Sequence, residues 1–283
     1  MTVKSPIFSF PVARFSNSSG ATMMMAALVI SLSASSPSAL GATLQVTYGF
    51  NATGSAEERL APTSVLADGT TTTGLTVSSI IPSGFQSPII SNGPADGPTS
   101  PERFILSSTQ GSAGTDGGHL SVFFPNTTEL NNSEAEAAAL GYYFDIILSP
   151  AAGYSLDLTT LNLDYTAQNN TDGRNFFVRY SHSATSNNFS SPNIMGAQFT
   201  DGGGQWVTGA GSSGNLDGIP VVEEGQSVTL RIYGYRTSVQ TTAQNLRYDN
   251  IVITGQLNQI PEPAAGLLLV AAGMVGVGRR SRR

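Results

Sequence analysis

The sequence predicts an all-β sandwich of about 9–12 strands, and three observations carry that expectation. Glycine, serine, threonine and asparagine dominate residues 43–259, where helical periodicity is scarce. Short runs of alternating apolar and polar residues recur there instead, the two-residue period of a half-buried strand. Turn dipeptides punctuate the runs, among them Asp68-Gly69, Asp96-Gly97, Asp172-Gly173 and Asp201-Gly202. Aspartate–glycine supplies the positive backbone angles that tight hairpins need.

In chain order the strands are expected at 43–50, 74–81, 103–107, 119–124, 142–148, 156–165, 175–182, 227–235 and 246–257. The run at 228–235 shows the logic best. Val228, Leu230 and Ile232 fall on one face and belong in the core, while Thr229, Arg231, Tyr233 and Tyr235 fall on the other. Residues 142–148 repeat the design less cleanly, with Tyr142, Phe144, Ile146 and Leu148 opposite Tyr143, Asp145 and Ile147. The segment 133–140 (SEAEAAAL) is the single helix-like patch, and 83–101, rich in proline, glycine and serine, reads as a surface loop.

Both ends of the chain read as addresses rather than structure. Residues 1–22 carry Lys4 and Arg14 and no acid, an apolar run follows at 23–32, and Ser38-Ala39-Leu40-Gly41-Ala42 offers small residues for cleavage. That is the layout of a signal peptide over 1–42, read by the Sec translocon and signal peptidase. At the other end Pro261-Glu262-Pro263 leads into an uncharged stretch, 264–278, and then Arg279, Arg280, Arg282 and Arg283. As a helix the stretch would be roughly 22 Å long, short of a ~30 Å hydrocarbon core. A span of that length suits a temporary stop in the inner membrane, with the arginines held in the cytoplasm.

The tail resembles the PEP-CTERM sorting signal of Gram-negative bacteria through Pro261-Glu262-Pro263, Leu267-Leu268-Leu269, the small residues Gly273, Gly276 and Gly278, and the arginine end. The resemblance implies an exosortase substrate: a membrane protease-transpeptidase recognises the segment 260–283 and removes it at the envelope. It also implies company with extracellular polysaccharide.

Between the two signals stand seven arginines and eighteen acids, a net charge near −11. Such a domain is a poor partner for nucleic acid, which demands phosphate neutralisation, and suits calcium or simple solubility. The chain has no cysteine, so neither disulfides nor thiol chemistry is available. A domain of this length can bury its core unaided.

From Tyr142 onward the order of segments resembles the jelly-roll sandwich of many PEP-CTERM proteins. It runs YYFDIIL, LTTLNLDY, FFVRYSH, the lone tryptophan in GGGQWVT, VTLRIYGY and LRYDNIVITG. The architecture is similar to carbohydrate-binding modules and lectin-like sandwiches, and the resemblance to residues 43–141 is vague.

Few motifs carry chemistry. Gly209-Ala210-Gly211-Ser212-Ser213-Gly214 matches the dinucleotide fingerprint by letter but opens no helix, and reads as a loop. No GxSxG nucleophile elbow is present. His119 and His182, the two histidines, read as surface or turn residues rather than a zinc or catalytic pair. The acid pairs Glu57-Glu58, Glu134/Glu136 and Glu223-Glu224 lie in polar sequence and read as solvated surface, not as the paired carboxylates of a glycosidase. The jelly-roll resemblance implies a structural Ca²⁺ on Asp249, with Asn250 and Asp164 beside it; hydrogen bonds from Asp249 and Asn250 to backbone at a bulge are the equal alternative. Tyr233, Tyr235 and Arg231, with Trp206 on a neighbouring loop, form the outward set best suited to stack on sugar; core or cross-strand packing is the commoner fate of such a row. Five Asn-x-Ser/Thr sites, at Asn51, Asn126, Asn131, Asn169 and Asn188, mark a polar surface.

These readings converge on an exported, non-enzymatic structural protein associated with exopolysaccharide at the cell surface or in the biofilm matrix. A calcium-dependent lectin-like module is the alternative.

Overall fold

The computed structural model describes residues 41–50, 53–84, 89–91, 103–107, 118–123, 133–167, 174–198, 206–236 and 245–261. The expected signal peptide before Gly41, the sorting segment after Pro261, and the Asp96-Gly97, Asp172-Gly173 and Asp201-Gly202 turns lie outside them.

In chain order the elements are β1 (Ala42–Tyr48), α1 (Ala56–Leu60), β2 (Ser64–Ala67), β3 (Thr70–Thr71), β4 (Leu75–Val77), β5 (Ile81–Ser83), β6 (Ile89–Ser91), β7 (Arg103–Ser107) and β8 (His119–Phe123). There follow α2 (Glu134–Leu140), β9 (Tyr143–Pro150), β10 (Tyr154–Ala167), β11 (Arg174–His182) and β12 (Met195–Gln198). A 3-10 turn (Gly209–Ser212) leads into β13 (Ser213–Asn215), and β14 (Val228–Arg236) and β15 (Asn245–Gln259) complete the set.

Two sheets face each other across one core. Take β1 and β9 to β15 as strands one to eight. The first sheet then pairs in the order one, eight, three, six (β1, β15, β10, β13), and the second in the order two, seven, four, five (β9, β14, β11, β12). That is the jelly-roll order of two interlocked Greek keys. Residues between β1 and β9 form an insertion that widens both sheets. β2 and β3 extend the first beyond β1, β8, β7 and β6 join it along the start of β15, and β4 and β5 lie beside β9 in the second.

Alternation builds the core. Leu44, Val46 and Tyr48 of β1, Phe144, Ile146 and Leu148 of β9, and Val228, Leu230 and Ile232 of β14 all point inward and are essentially sealed from water. The expected strand at 74–81 is two strands. At Ser78 the backbone N–H still donates to the Ile147 carbonyl at 2.9 Å, but the Ser78 hydroxyl accepts the Ile147 amide at 3.0 Å. At Asp68-Gly69 both residues have positive φ, 48° and 76°, and the tight β2–β3 hairpin follows.

Both helices are capped by serine. Ser133 accepts the Glu136 amide at the start of α2, and Gly141, at φ 77°, ends it. α1 carries a full capping box, since Ser55 and Glu58 each bond the other's backbone amide. The Ser55 backbone N–H and hydroxyl, both donating to Glu58 Oε2 at 2.7 and 3.0 Å, hold the Glu58 carboxyl below its usual pKa.

Candidate functional site

The outer face of the second sheet carries the richest chemistry. Register places Gly196, Phe177, Tyr233 and Tyr143 in one row across β12, β11, β14 and β9. Phe177 stacks on Tyr233 at 4.6 Å between ring centroids, and Tyr143 meets Tyr233 edge-on at 5.5 Å. Tyr235 meets Phe177 edge-on at 5.8 Å. The row is not open to solvent, for Tyr233 and Tyr235 are 3% and 5% exposed. Ala137, the buried residue of α2, packs against them. Burial raises the Tyr233 phenol pKa, against a smaller opposite pull from Arg231.

Arg231 sits in the next row. Its Nε and Nη2 donate to the two carboxylate oxygens of Asp145, each at 2.7 Å. The guanidinium also lies 3.4 Å from the Tyr143 ring centroid and 3.7 Å from that of Phe189. Arginine's plane suits both contacts, the fork toward the carboxylate and the faces toward the rings. Burial works against the charge, but Asp145 with Tyr233 and Tyr143 together outweigh it, and the Arg231 pKa lies above the usual arginine range. Phe189 reaches this position with φ at +60°, a conformation rare for a bulky residue, and Ser186 and Asn188 nearby also have positive φ. The same loop brings Asn193 to Glu134, whose Oε1 accepts the amide at 2.7 Å, while Arg179 bonds Asn193 and Glu134 at 3.0 and 3.2 Å. A cleft of about 490 Å³ opens beside this triad, lined by Glu134, Asn193, Gly196, Met195 and Tyr235.

The sugar-stacking set is therefore split. Arg231, Tyr233 and Tyr235 share one face, but as packing partners beneath a cover rather than an open platform. Trp206 lies elsewhere, edge-on to His119 of β8 at 6.0 Å, beside Val207, which bridges to Tyr165 of β10.

The three residues expected at a calcium site do come together. Asn250 donates its side-chain amide to Asp164 Oδ2 at 2.9 Å and its backbone N–H to Asp249 Oδ1 at 2.8 Å. It does so at a bulge between β10 and β15, where Asn250 has φ +45°. Calcium takes six to eight oxygen ligands. Here two carboxylates and one amide meet, the amide turning an N–H toward Asp164. Among the described residues no three His, Asp, Glu or Cys side chains gather as a metal site. A cleft of about 560 Å³ adjoins the bulge, lined by Asn162, Asp164, Ser212, Ser213, Asn250 and Val252.

The histidines are not on the surface: His119 and His182 are 2% and 1% exposed. His182 holds a turn, as expected of it, with Nδ1 accepting the Ala184 amide and Nε2 facing the Val221 carbonyl. His119 Nε2 lies 3.0 Å from Ser121 Oγ, which also accepts the Asn245 amide at 3.1 Å. The His119/Ser121 contact follows from their two-residue spacing on one strand. The Asn245 contact spans 124 residues and has no signal in the sequence. Residues 119–122, where His119 and Ser121 alternate with Leu120 and Val122, are buried on both faces, and this is why the histidine is enclosed.

Residues 259–283 match the PEP-CTERM protein-sorting motif. No curated protein matches the chain. Among solved structures the chain is similar to the enzymatically active domain of bacteriophage CBA120 tailspike protein 4, at 12% identity and a TM-score of 0.29, over 65% of this chain and 19% of that one. It thus spans about a fifth of that protein's length. TmCBM61 in complex with β-1,4-galactotriose matches 52% of this chain and 74% of its own, at 12% identity and a TM-score of 0.20. Likenesses this weak carry nothing over to this chain. The sorting motif does: it marks an exported protein that is sorted to the cell surface.

Proposed function

We propose that residues 43–259 form a non-enzymatic structural domain, sorted by an exosortase and held in extracellular polysaccharide at the cell surface or in the matrix around it. The observation that carries this reading is the use the sandwich makes of its own reactive-looking groups. The tyrosine row is roofed by α2, Arg231 is clamped by Asp145 and two rings, and Glu134 is engaged by Arg179 and Asn193. Groups spent on holding a fold together support a scaffold rather than a turnover site. Of the acid pairs weighed for glycosidase chemistry, Glu58 serves as a helix cap and Glu224 accepts the Gly153 amide at 2.9 Å.

A second reading, a calcium-dependent lectin-like module, draws support from the meeting of Asp164, Asp249 and Asn250. The exported protein, mixed with polysaccharide from its source organism, separates the two. Retention equal with calcium and with chelator is the expected result. Retention abolished by chelator would favour the lectin reading, and no retention in either condition would remove the polysaccharide association altogether.

A further inference from the structure

The outer face of the first sheet differs in kind from that of the second. Leu44, Val46 and Tyr48 of β1 turn inward, so Thr43, Gln45 and Thr47 turn out, and Val252, Thr254 and Gln256 of β15 and Thr160 and Asn162 of β10 do the same. Register aligns them in rows: Gln45, Thr254, Thr160 and Asn215; then Thr47, Val252, Asn162 and Ser213; then Thr43, Gln256 and Asp157. Each position is exposed or half-exposed. Strands lie about 4.8 Å apart, so a row across four of them offers a line of hydroxyls and amides roughly 14 Å long. The second row runs into the cleft beside the bulge, where Asp164, Asn250 and Ser212 join Asn162 and Ser213.

We infer that this face, with the cleft as its deepest point, binds a neutral polysaccharide through hydrogen bonds. The inference rests on the polysaccharide association proposed above and names its site and ligand class. Composition selects the ligand. The rows hold no arginine or lysine, which excludes phosphate-rich partners. Their one charged member is Asp157, the cleft adds Asp164, and residues 43–259 carry a net charge near −11, so an acidic polymer is repelled. The rows contain no aromatic residue and one aliphatic, Val252, whereas protein interfaces concentrate their energy in aromatic and arginine anchors. A dense field of neutral donors and acceptors is matched by a neutral polyhydroxyl chain. With no ring to stack on the sugar, each contact is weak and the length of the polymer supplies the avidity.

The test uses the processed protein recovered from cells expressing the full chain, run by affinity electrophoresis through gels containing the organism's own extracellular polysaccharide. That polymer is first divided by anion exchange into neutral and acidic fractions. Asn162→Ala with Asn250→Gly removes two cleft amides, glycine keeping the backbone at positive φ. Thr47→Val with Ser213→Ala alters the rows at a half-exposed and an exposed position, removing the 3.3 Å bond from the Gln45 amide to the Thr47 hydroxyl. At about 1 kcal/mol for each of the two hydrogen bonds removed, either pair should weaken retention on the neutral fraction about thirtyfold. Retention should also survive 1 M salt, which screens charge contacts. Retention by the neutral fraction that neither pair alters would overturn the site while leaving the association itself standing. Retention by the acidic fraction alone would overturn the ligand class. Absence of retention on both fractions would sink the inference together with the reading beneath it.

Discussion

Arg231 shows how one residue can look like a binding group and serve as a fastener. The alternation at 228–235 placed it on the outer face with Tyr233 and Tyr235, and that placement is correct. What alternation cannot show is Phe189, which arrives from a loop far along the chain to close the second side of the guanidinium. Removing one partner of a largely buried ion pair leaves the other uncompensated. Arg231→Ala should therefore lower stability by about 3 kcal/mol in urea unfolding. Arg231→Lys should recover little, since an ammonium neither forks onto a carboxylate nor lies flat between rings. A loss below about 1 kcal/mol would show that the pair behaves as an exposed one. The tyrosines make a second prediction at this scale. Burial raises the pKa of Tyr48, Tyr248, Tyr165 and Tyr233. The protonated phenol is the form the fold accepts, so stability is intact below the ordinary tyrosine value near 10 and falls as pH climbs beyond it. Circular dichroism should show a flat plateau through neutrality and unfolding that begins above about pH 10. A transition beginning between pH 8 and 9 would contradict that.

At the scale of elements, alternating strands were legible and short pairing partners were not. β1, β7 to β11, β14 and β15 fall where alternating runs predicted them. β12 and β13 have four and three residues, too few for a period to emerge, and they owe their existence to the neighbours they pair with. α1 had a legible signal, the Ser55–Glu58 capping box, hidden in a region read only as polar turn. α2 was legible from composition, but its task was not. Seven residues cannot hold a helix by themselves, so packing on the aromatic row sustains it. Replacing Ala137 with glutamine forces bulk into that contact while keeping helix propensity, and should cost about 2 kcal/mol and weaken the near-UV tyrosine signal. Ala135→Gln, on the exposed side of α2, should change neither. Equal effects from the two variants would mean that α2 does not roof the row.

For the molecule as a whole, the jelly-roll order accounts for residues whose place was least evident in the sequence. β1 supplies the first strand, and the stretch from β2 to β8 widens both sheets rather than forming a second core. Nothing local announces this, because the pairing of Ala42 with Leu257 joins the two ends of the domain. That pairing also sets both ends at one pole of the sandwich. Ile260 still bonds Gly153, so the sorting motif begins where the central strand of the first sheet stops. The sequence announced the address and most of the scaffold. It left the polar face of the first sheet unread, because threonine, glutamine and asparagine at alternate positions signify only a solvated side until register aligns them. On the function proposed above, this sandwich holds polysaccharide without cutting it. Co-sedimentation of the processed protein with native extracellular polysaccharide, followed by sizing of the polymer, tests that most directly. The protein should appear in the polymer pellet, with the chain-length distribution unchanged after prolonged incubation. Protein left in the supernatant, or polymer that has shortened, would contradict it.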